Sequence, residues 1–213
     1  FGKWREIAEA PMPENAELYC VSTSMHHYAK GIAYAAMKQF TAAESQKTCF
    51  YDSLQRISPT RKFFNNPALQ TLGVGEKMLL GELEYHKGNH EVAFEHLREA
   101  VQRSDSLHYS EPWPWMHPPR HALGALLMEQ GQHAEAEKVY REDLGLSDTV
   151  LRCAQHPNNV WALHGLVECL TNRGETEESG NFTTLLESAI AKADFTVTSS
   201  CCCREKVRDP AVL

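Results

Sequence analysis

The chain has 213 residues, of which 42% are hydrophobic and 23% are charged, and its formal net charge is −7. This composition supports a folded core and excludes disorder over the whole length. The acidic excess argues against a general attraction to nucleic acid or to anionic lipid. No apolar run approaches the roughly 20 residues that cross a bilayer, so we expect no membrane insertion and no nucleic-acid partner.

The start of the chain and its cysteines bear on its origin and compartment. The residues after Phe1 read as the interior of a structural unit and not as a signal peptide. We therefore expect the carboxy-terminal part of a longer protein, whose targeting sequence could precede Phe1. The seven cysteines are odd in number and lack the spacing of a disulfide framework. This favours a reducing compartment, the cytoplasm.

Apolar residues recur at helical spacing along most of the chain, which predicts about nine helices and an all-α fold. In chain order the predicted helices are Trp4–Ala10, Ala16–Met37, Phe40–Ile57, Pro67–His86, His90–Arg103, Pro119–Gln130, His133–Leu144, Asn159–Asn172 and Asn181–Ala193. A short helix at Asp148–Ala154 is a weaker alternative. Residues 196–213 are expected to form a cysteine-containing carboxy-terminal tail.

A pattern of small residues recurs within these helices. In three places a glycine is followed, twelve residues later, by an alanine: Gly31 by Ala43, Gly81 by Ala93 and Gly124 by Ala136. Two of these pairs have a further glycine between their members: Gly88 between Gly81 and Ala93, and Gly131 between Gly124 and Ala136. Small residues let two helices approach closely, and the intervening glycine can take the left-handed conformation that ends a helix. The pattern therefore predicts antiparallel helix pairs.

This pattern resembles the tetratricopeptide repeat, a family of helix-pair repeats. A fourth unit is indicated near Gly165, where Gly174 falls two residues late and no matching alanine follows. The resemblance implies an α-α superhelix that binds a peptide or partner protein on its concave face. We expect one repeat domain over residues 1–195, with units near 16–57, 67–103, 119–144 and 159–193 and the end of a preceding unit at 1–10.

The units are spaced more widely than in a standard repeat. Successive first-helix glycines are 50, 43 and 41 residues apart, against about 34 residues in the family. The extra residues form three insertions between units, at Ser58–Asn66, Asp105–Pro119 and Gly145–Pro157. Insertions that recur at equivalent places often lie on the binding side of a repeat array.

Two groups of residues are candidates for partner binding. The concave face is predicted to be lined by residues of the first helices, and we single out Lys30, Tyr34, Lys77 and Trp161. The second insertion contains four prolines and several ring or cationic side chains, which suits the gripping of a peptide. The candidates in the segment Tyr109–Arg120 are Tyr109, Trp113, Trp115, His117 and Arg120. In the alternative interpretation, the tryptophans pack between adjacent units.

The histidines and cysteines suggest a weaker, metal-binding alternative. The string His-Glu-x-x-His does not occur, and three consecutive thiols do not have the spacing of a zinc site. Structural roles are therefore favoured, with the thiols of the tail exposed on a surface coil, and we expect no cofactor. The alternative metal ligands are His117, His121, His164, Cys169, Cys201 and Cys203.

Catalytic motifs are missing from the sequence. Gly73 and Gly75 lack the rest of a dinucleotide loop, and the neighbouring acids Glu142 and Asp143 are interpreted as solvated side chains. The sequence therefore predicts a non-catalytic scaffold for a protein or peptide partner. Two alternatives stay open: part of a metal-binding or enzymatic protein whose site is shared with a missing amino-terminal region, and a structural subunit of a large assembly.

Overall fold

The computed structural model describes residues 2–204 of the chain. Helices dominate these residues, which confirms the predicted all-α helical-repeat fold. A short antiparallel hairpin, which the sequence did not predict, pairs β1 (Lys62–Phe63) with β2 (Asn66–Pro67). The helices are α1 (Trp4–Glu9), α2 (Cys20–Ala36), α3 (Phe40–Leu54), α4 (Ala68–Lys87), α5 (His90–Asp105), α6 (Pro119–Glu129), α7 (His133–Asp143), α8 (Val160–Asn172) and α9 (Thr176–Ile190). Short 3-10 turns occupy Arg152–Ala154 and Cys202–Arg204.

The described residues form two compact units, residues 2–119 and residues 120–204. In the first unit α2 packs against α3 and α4 packs against α5, and α2 also packs against α1 and α4. In the second unit α8 packs against both α7 and α9. Among the described residues, no helix is both long enough and apolar enough to span a bilayer.

The turns inside the helix pairs share one backbone geometry. Gly88, Gly131 and Gly174 have φ values of +90°, +70° and +79°, and each lies just after a first helix. In the first pair Lys38 takes the same left-handed conformation, at φ +59°. The turn is therefore kept where the glycine is missing, although a residue with a Cβ adopts it at some cost.

Small residues hold the two helices of a pair together, as the sequence pattern indicated. A Cβ at Gly81 would lie 2.6 Å from Cγ of Leu97, and a Cβ at Gly124 would lie 2.6 Å from Cζ of Tyr140. The repeated alanines Ala43, Ala93 and Ala136 are completely buried. A larger side chain at any of these positions would force the helices apart.

The fourth helix pair differs from its prediction because a serine replaces the expected alanine. Helix α9 begins at Thr176, five residues before the predicted start, directly after the turn at Gly174. Ser179 follows this glycine at the distance at which Ala93 follows Gly88, and it is buried. Its hydroxyl forms a hydrogen bond with the Thr171 hydroxyl, at an oxygen–oxygen distance of 2.9 Å. A small polar residue therefore fits at the position that alanine occupies in the other pairs.

Helix α2 also differs from its prediction, since it begins at Cys20 and not at Ala16. The preceding residues form a turn around Asn15, whose side chain accepts a hydrogen bond from the Leu18 amide at 2.9 Å. The carbonyl of Asn15 accepts another from the Tyr19 amide, also at 2.9 Å. Asparagine competes for backbone amides in this way, which delays the helix start.

Candidate functional site

An apolar cavity of about 460 Å³ opens within the first unit. Its walls come from α2, the start of α4, the hairpin residues and the proline-rich segment 112–117. The first and second of the insertions predicted between the repeats therefore meet at this cavity. The lining residues are Val21, Met25, Tyr28, Phe63, Phe64, Ala68, Thr71, Leu72, Pro112, Trp113, Pro114, Trp115, Met116 and His117.

Asparagine side chains of the hairpin hold the residues that lead into the proline-rich segment. The buried Asn66 side chain donates to the carbonyl oxygen of His108 at 2.9 Å and accepts from the amide of the same residue at 2.7 Å. Next to it, Asn65 donates to the carbonyl oxygen of Tyr109 at 2.8 Å. These bonds mimic the pairing of a further strand and fix where the segment starts. Sequence reasoning did not single out either asparagine.

Trp115 forms one wall of the cavity and is itself packed into the unit. It is only 6% exposed, and its ring meets the ring of Tyr28 edge-on at a centroid distance of 5.2 Å. A Cβ at Gly75 would lie 2.7 Å from Cη2 of Trp115, so the glycine on α4 makes room for the indole. Trp115 therefore packs inward, as in the alternative interpretation of the second insertion, whereas Tyr109 and Trp113 are exposed.

Two residues that line the cavity each carry a buried polar atom without a hydrogen bond in the described part of the chain. The Thr71 hydroxyl and the Trp115 indole N–H are both buried, and neither finds a partner among the described residues. Both residues line the cavity. A buried polar group without a partner costs about 1–3 kcal/mol. An occupant of the cavity that supplies an acceptor would recover part of this free energy.

The rim of the cavity is apolar, with basic residues next to it in the sequence. Phe64 and Met116 are more than half exposed, at 52% and 66%. Arg61 and Lys62, the two residues before Phe63, are also exposed. In the described part of the chain neither has an ion-pair partner, so two uncompensated positive charges lie next to Phe63 in the sequence.

Three other predicted binding residues of the first unit lie away from the cavity and make internal contacts. Lys30 donates to the carbonyl oxygen of Ala8 at 2.6 Å. Lys77 pairs with Glu99 at 2.8 Å. Tyr34 packs beside the buried cluster of Ala35, Ala43 and Leu83. These side chains support the fold around the helix pairs.

A second cluster, in the second unit, joins two histidines to one carboxylate. Asp143 is completely buried; one carboxylate oxygen lies 2.9 Å from Nε2 of His121 and the other 2.9 Å from Nδ1 of His156. Burial alone would raise the pKa of Asp143, but the charge and hydrogen bond of His121 and the hydrogen bond of His156 outweigh it and lower the pKa. The expectation that Asp143 is solvated was wrong.

This cluster ties the third insertion to the helix pair. The amide of His156 also donates to the carbonyl oxygen of Asp143, at 2.6 Å. The His121 ring nitrogen that faces Asp143 is engaged by the carboxylate, so His121 has a structural role that the sequence left open. The sequence shows the adjacent acids Glu142 and Asp143 and the position of His156 at the end of the insertion. Only the tertiary fold brings Asp143 and His156 into contact.

The remaining metal candidates have other contacts. The Cys169 thiol donates to the carbonyl oxygen of His133 at 3.0 Å, and burial raises its pKa to about 11. Burial lowers the pKa of His164, although Glu168 opposes the shift. Cys201 and Cys203 are buried, which corrects the expectation of exposed thiols, and His117 lines the cavity of the first unit.

The last two predicted binding residues lie in the second unit. Arg120 is buried at the start of α6, with Nε 3.6 Å from a carboxylate oxygen of Glu142. Trp161, in the first turn of α8, stacks on Phe195 at a centroid distance of 5.5 Å. Its backbone amide is capped by the side chain of Asn159 at 2.9 Å.

Comparison with known families agrees with this architecture. The family model described as tetratricopeptide repeat matches residues 120–157. The matched segment contains α6, α7 and the insertion that His156 closes. No curated protein and no solved structure gives a significant match to the chain.

Proposed function

Because the chain is a tetratricopeptide-repeat protein, we propose that it is a protein-interaction module whose apolar cavity binds a hydrophobic side chain of a partner protein. Repeats of this kind commonly act as interaction modules. The cavity of the first unit is the single observation that carries the proposal. It supplies the concave, mostly apolar surface that such an anchor requires.

The occupant that fits best is an aromatic or long aliphatic side chain on an acidic segment of the partner. The cavity wall is mostly apolar, and an exposed rim that includes Phe64 would cover the base of the inserted side chain. Arg61 and Lys62 directly precede the cavity residue Phe63 and have no carboxylate partner in the described chain. Acidic residues next to the anchor would pair with them and guide the encounter.

The two unpartnered polar groups give the site a means of selection. The hydroxyl of Thr71 can donate or accept, whereas the indole N–H of Trp115 can only donate. A backbone carbonyl of the partner segment placed at the cavity mouth would satisfy one of them. Binding would then combine apolar burial with a hydrogen bond that a purely apolar molecule cannot supply.

Peptide selection tests the proposal. A random peptide library is panned on the full chain, and enriched peptides are labelled and titrated by fluorescence polarisation. The variant Val21→Trp places a bulky ring in the cavity, and Val92→Trp places the same ring on the exposed surface of α5 as the matched control. We expect peptides with a hydrophobic anchor and acidic neighbours, which bind Val21→Trp at least about tenfold more weakly and Val92→Trp unchanged.

Two results would contradict the proposal. Selected peptides that bind wild type and Val21→Trp equally would place the interaction elsewhere on the chain. A library that gives no cavity-dependent peptide, combined with a small apolar dye that binds wild type but not Val21→Trp, would identify a small-molecule site instead. The double variant Arg61→Glu and Lys62→Glu checks the charge argument, since it should weaken acidic peptides at low salt and have less effect at high salt.

A further inference from the structure

The segment Phe195–Arg204 lies against the helices of the second unit. It follows α9 and has little regular structure apart from the 3-10 turn at its end. Four of its ten residues are nonetheless buried, including the fully enclosed Ser200: the four are Ser199, Ser200, Cys201 and Cys203. The segment is therefore a bound part of the second unit.

Among the contacts between this segment and the helices are those of Phe195, Ser200 and Arg204. At one end, the ring of Phe195 stacks on Trp161 with an interplanar angle of 24°. In the middle, the hydroxyl of Ser200 lies 2.7 Å from the hydroxyl of Tyr140.

At the other end, the guanidinium of Arg204 donates to both carboxylate oxygens of Glu168, at 2.8 Å and 3.0 Å. A second carboxylate, that of Glu129, lies 3.8 Å from its Nε. This bidentate pairing is specific for the planar guanidinium, because a lysine ammonium lacks the matching fork.

Two glycines give Tyr140 its place in this surface. A Cβ at Gly124 of α6 would lie 2.6 Å from Cζ of the ring, and a Cβ at Gly165 of α8 would lie 2.2 Å from the same atom. The ring of this α7 residue therefore passes between the two neighbouring helices to reach Ser200. Burial raises the pKa of the Tyr140 hydroxyl, so it stays protonated and able to hydrogen-bond.

The receiving residues form one surface, which we call the tail-binding surface and define as Tyr140, Trp161, Gly165 and Glu168. The three residues from α8 are spaced by four and three positions, so they share one helix face. The backbone amides of Cys203 and Arg204 hydrogen-bond within the segment itself, to Cys201. The contacts of Phe195, Ser200 and Arg204 to the helices are side-chain contacts, which another peptide with the same side chains could reproduce.

We propose that the tail-binding surface is a second peptide-binding site, which Phe195–Arg204 occupies in cis and which an arginine-containing peptide of a partner protein binds by displacing it. The matching peptide presents an aromatic residue to Trp161, a hydroxyl to Tyr140 and an arginine to Glu168. Because the tail is tethered, its high effective concentration keeps the site closed to weak ligands. This inference concerns the second unit and stands independently of the cavity in the first.

A peptide probe tests this site in the full chain. The probe is a labelled peptide with the sequence of residues 194–204, in which serine replaces the three cysteines. The double variant Phe195→Ala and Arg204→Ala weakens the tail, and we expect it to bind the probe at least about tenfold more tightly than wild type. Arg152→Ala, at an exposed arginine of the same unit, serves as the control and should behave as wild type. Adding Glu168→Gln to the double variant should abolish the gain.

Equal binding of the probe by wild type and the double variant would overturn the proposal, as would binding that survives Glu168→Gln. A second measurement needs no variant and applies even if the double variant does not fold. Wild type is labelled with iodoacetamide, and each cysteine is quantified by mass spectrometry, with exposed Cys153 as the internal reference. Cys201 and Cys203 should be protected, and excess probe should at least triple their labelling. Labelling that the probe leaves unchanged would show that the tail is a fixed part of the fold.

Discussion

The carboxylate of Asp143 lies 2.9 Å from Nε2 of His121, and the two side chains are 0% and 3% exposed. They belong to different helices of one pair, α7 and α6. His156 binds the other carboxylate oxygen and brings the end of the third insertion to the same point. A single buried charge thus connects two helices and an insertion, and its loss should affect all three.

We expect Asp143→Asn to lower the free energy of unfolding of the second unit by about 3–5 kcal/mol, the cost of breaking a buried ion pair. The pKa of Asp143 is lowered on folding, so its stabilisation is present above the unfolded pKa near 4 and is lost as the pH falls below that. Urea unfolding followed by circular dichroism from pH 3 to pH 7 measures both effects. Asp148→Asn, at an exposed carboxylate in the third insertion, is the control and should change little.

His86 should make the stability of the first unit depend on pH in the mildly acidic range. Burial, helped by the charge of Lys38, lowers the pKa of His86 to about 4 from its ordinary value of 6.5. The unfolded chain therefore takes up the proton first, and stability falls as the pH decreases from about 6.5 to about 4. Replacing the ring by His86→Leu should flatten this part of the profile. Identical slopes for the two proteins would show that His86 is not the responsible group.

Gly165→Ala and Gly180→Ala should have opposite effects although both glycines are in helices. At Gly165 the new Cβ meets the Tyr140 ring, and we expect a loss of about 1–3 kcal/mol in unfolding free energy. At Gly180 nothing lies within 4 Å of the added Cβ, so alanine should stabilise α9 by about 0.5–1 kcal/mol. Thermal and urea unfolding measure both. If Tyr140→Leu fails to reduce the cost of Gly165→Ala, the clash is not the cause.

Asn66→Leu should loosen the proline-rich segment and with it the cavity. The substitution removes both side-chain bonds to His108 and leaves its amide and carbonyl without these partners, at a cost of about 1–3 kcal/mol. Limited proteolysis should then cut between residues 105 and 119 at lower protease concentration than in wild type. Asn65→Ala removes one exposed bond, to the Tyr109 carbonyl, and should have the smaller effect. Equal cleavage of all three proteins would show that the hydrogen bonds between Asn66 and His108 do not hold the segment in place.

Several features of the helix pairs followed from the sequence because they depend on residues close together in the chain. The spacing of Gly81, Gly88 and Ala93 specifies a first helix, a left-handed turn and a second helix, and the structure has all three. The fourth pair was predicted less well because Ser179 occupies the position of the alanine. Sequence spacing alone does not show that this serine is buried and that its hydroxyl is hydrogen-bonded.

The contacts that make the candidate sites join residues far apart in sequence. Asn66 binds His108, Asp143 binds His156, and Tyr140 meets Ser200. The sequence marked some of these regions, as insertions or as a cysteine-rich tail, and it left open whether the tryptophans of the second insertion pack between units. It did not distinguish buried Trp115 from exposed Trp113, because two tryptophans in one segment have the same local chemistry.

The repeat could be predicted from the sequence alone, because the local spacing of small and apolar residues dictates where helices form, where they turn and which faces they bury. Which polar and aromatic groups are available for binding depends on the tertiary structure. A side chain's burial and partners depend on what the rest of the chain places beside it. The cavity of the first unit and the occupied tail-binding surface of the second therefore exist only once the insertions and the tail have packed against the helix pairs.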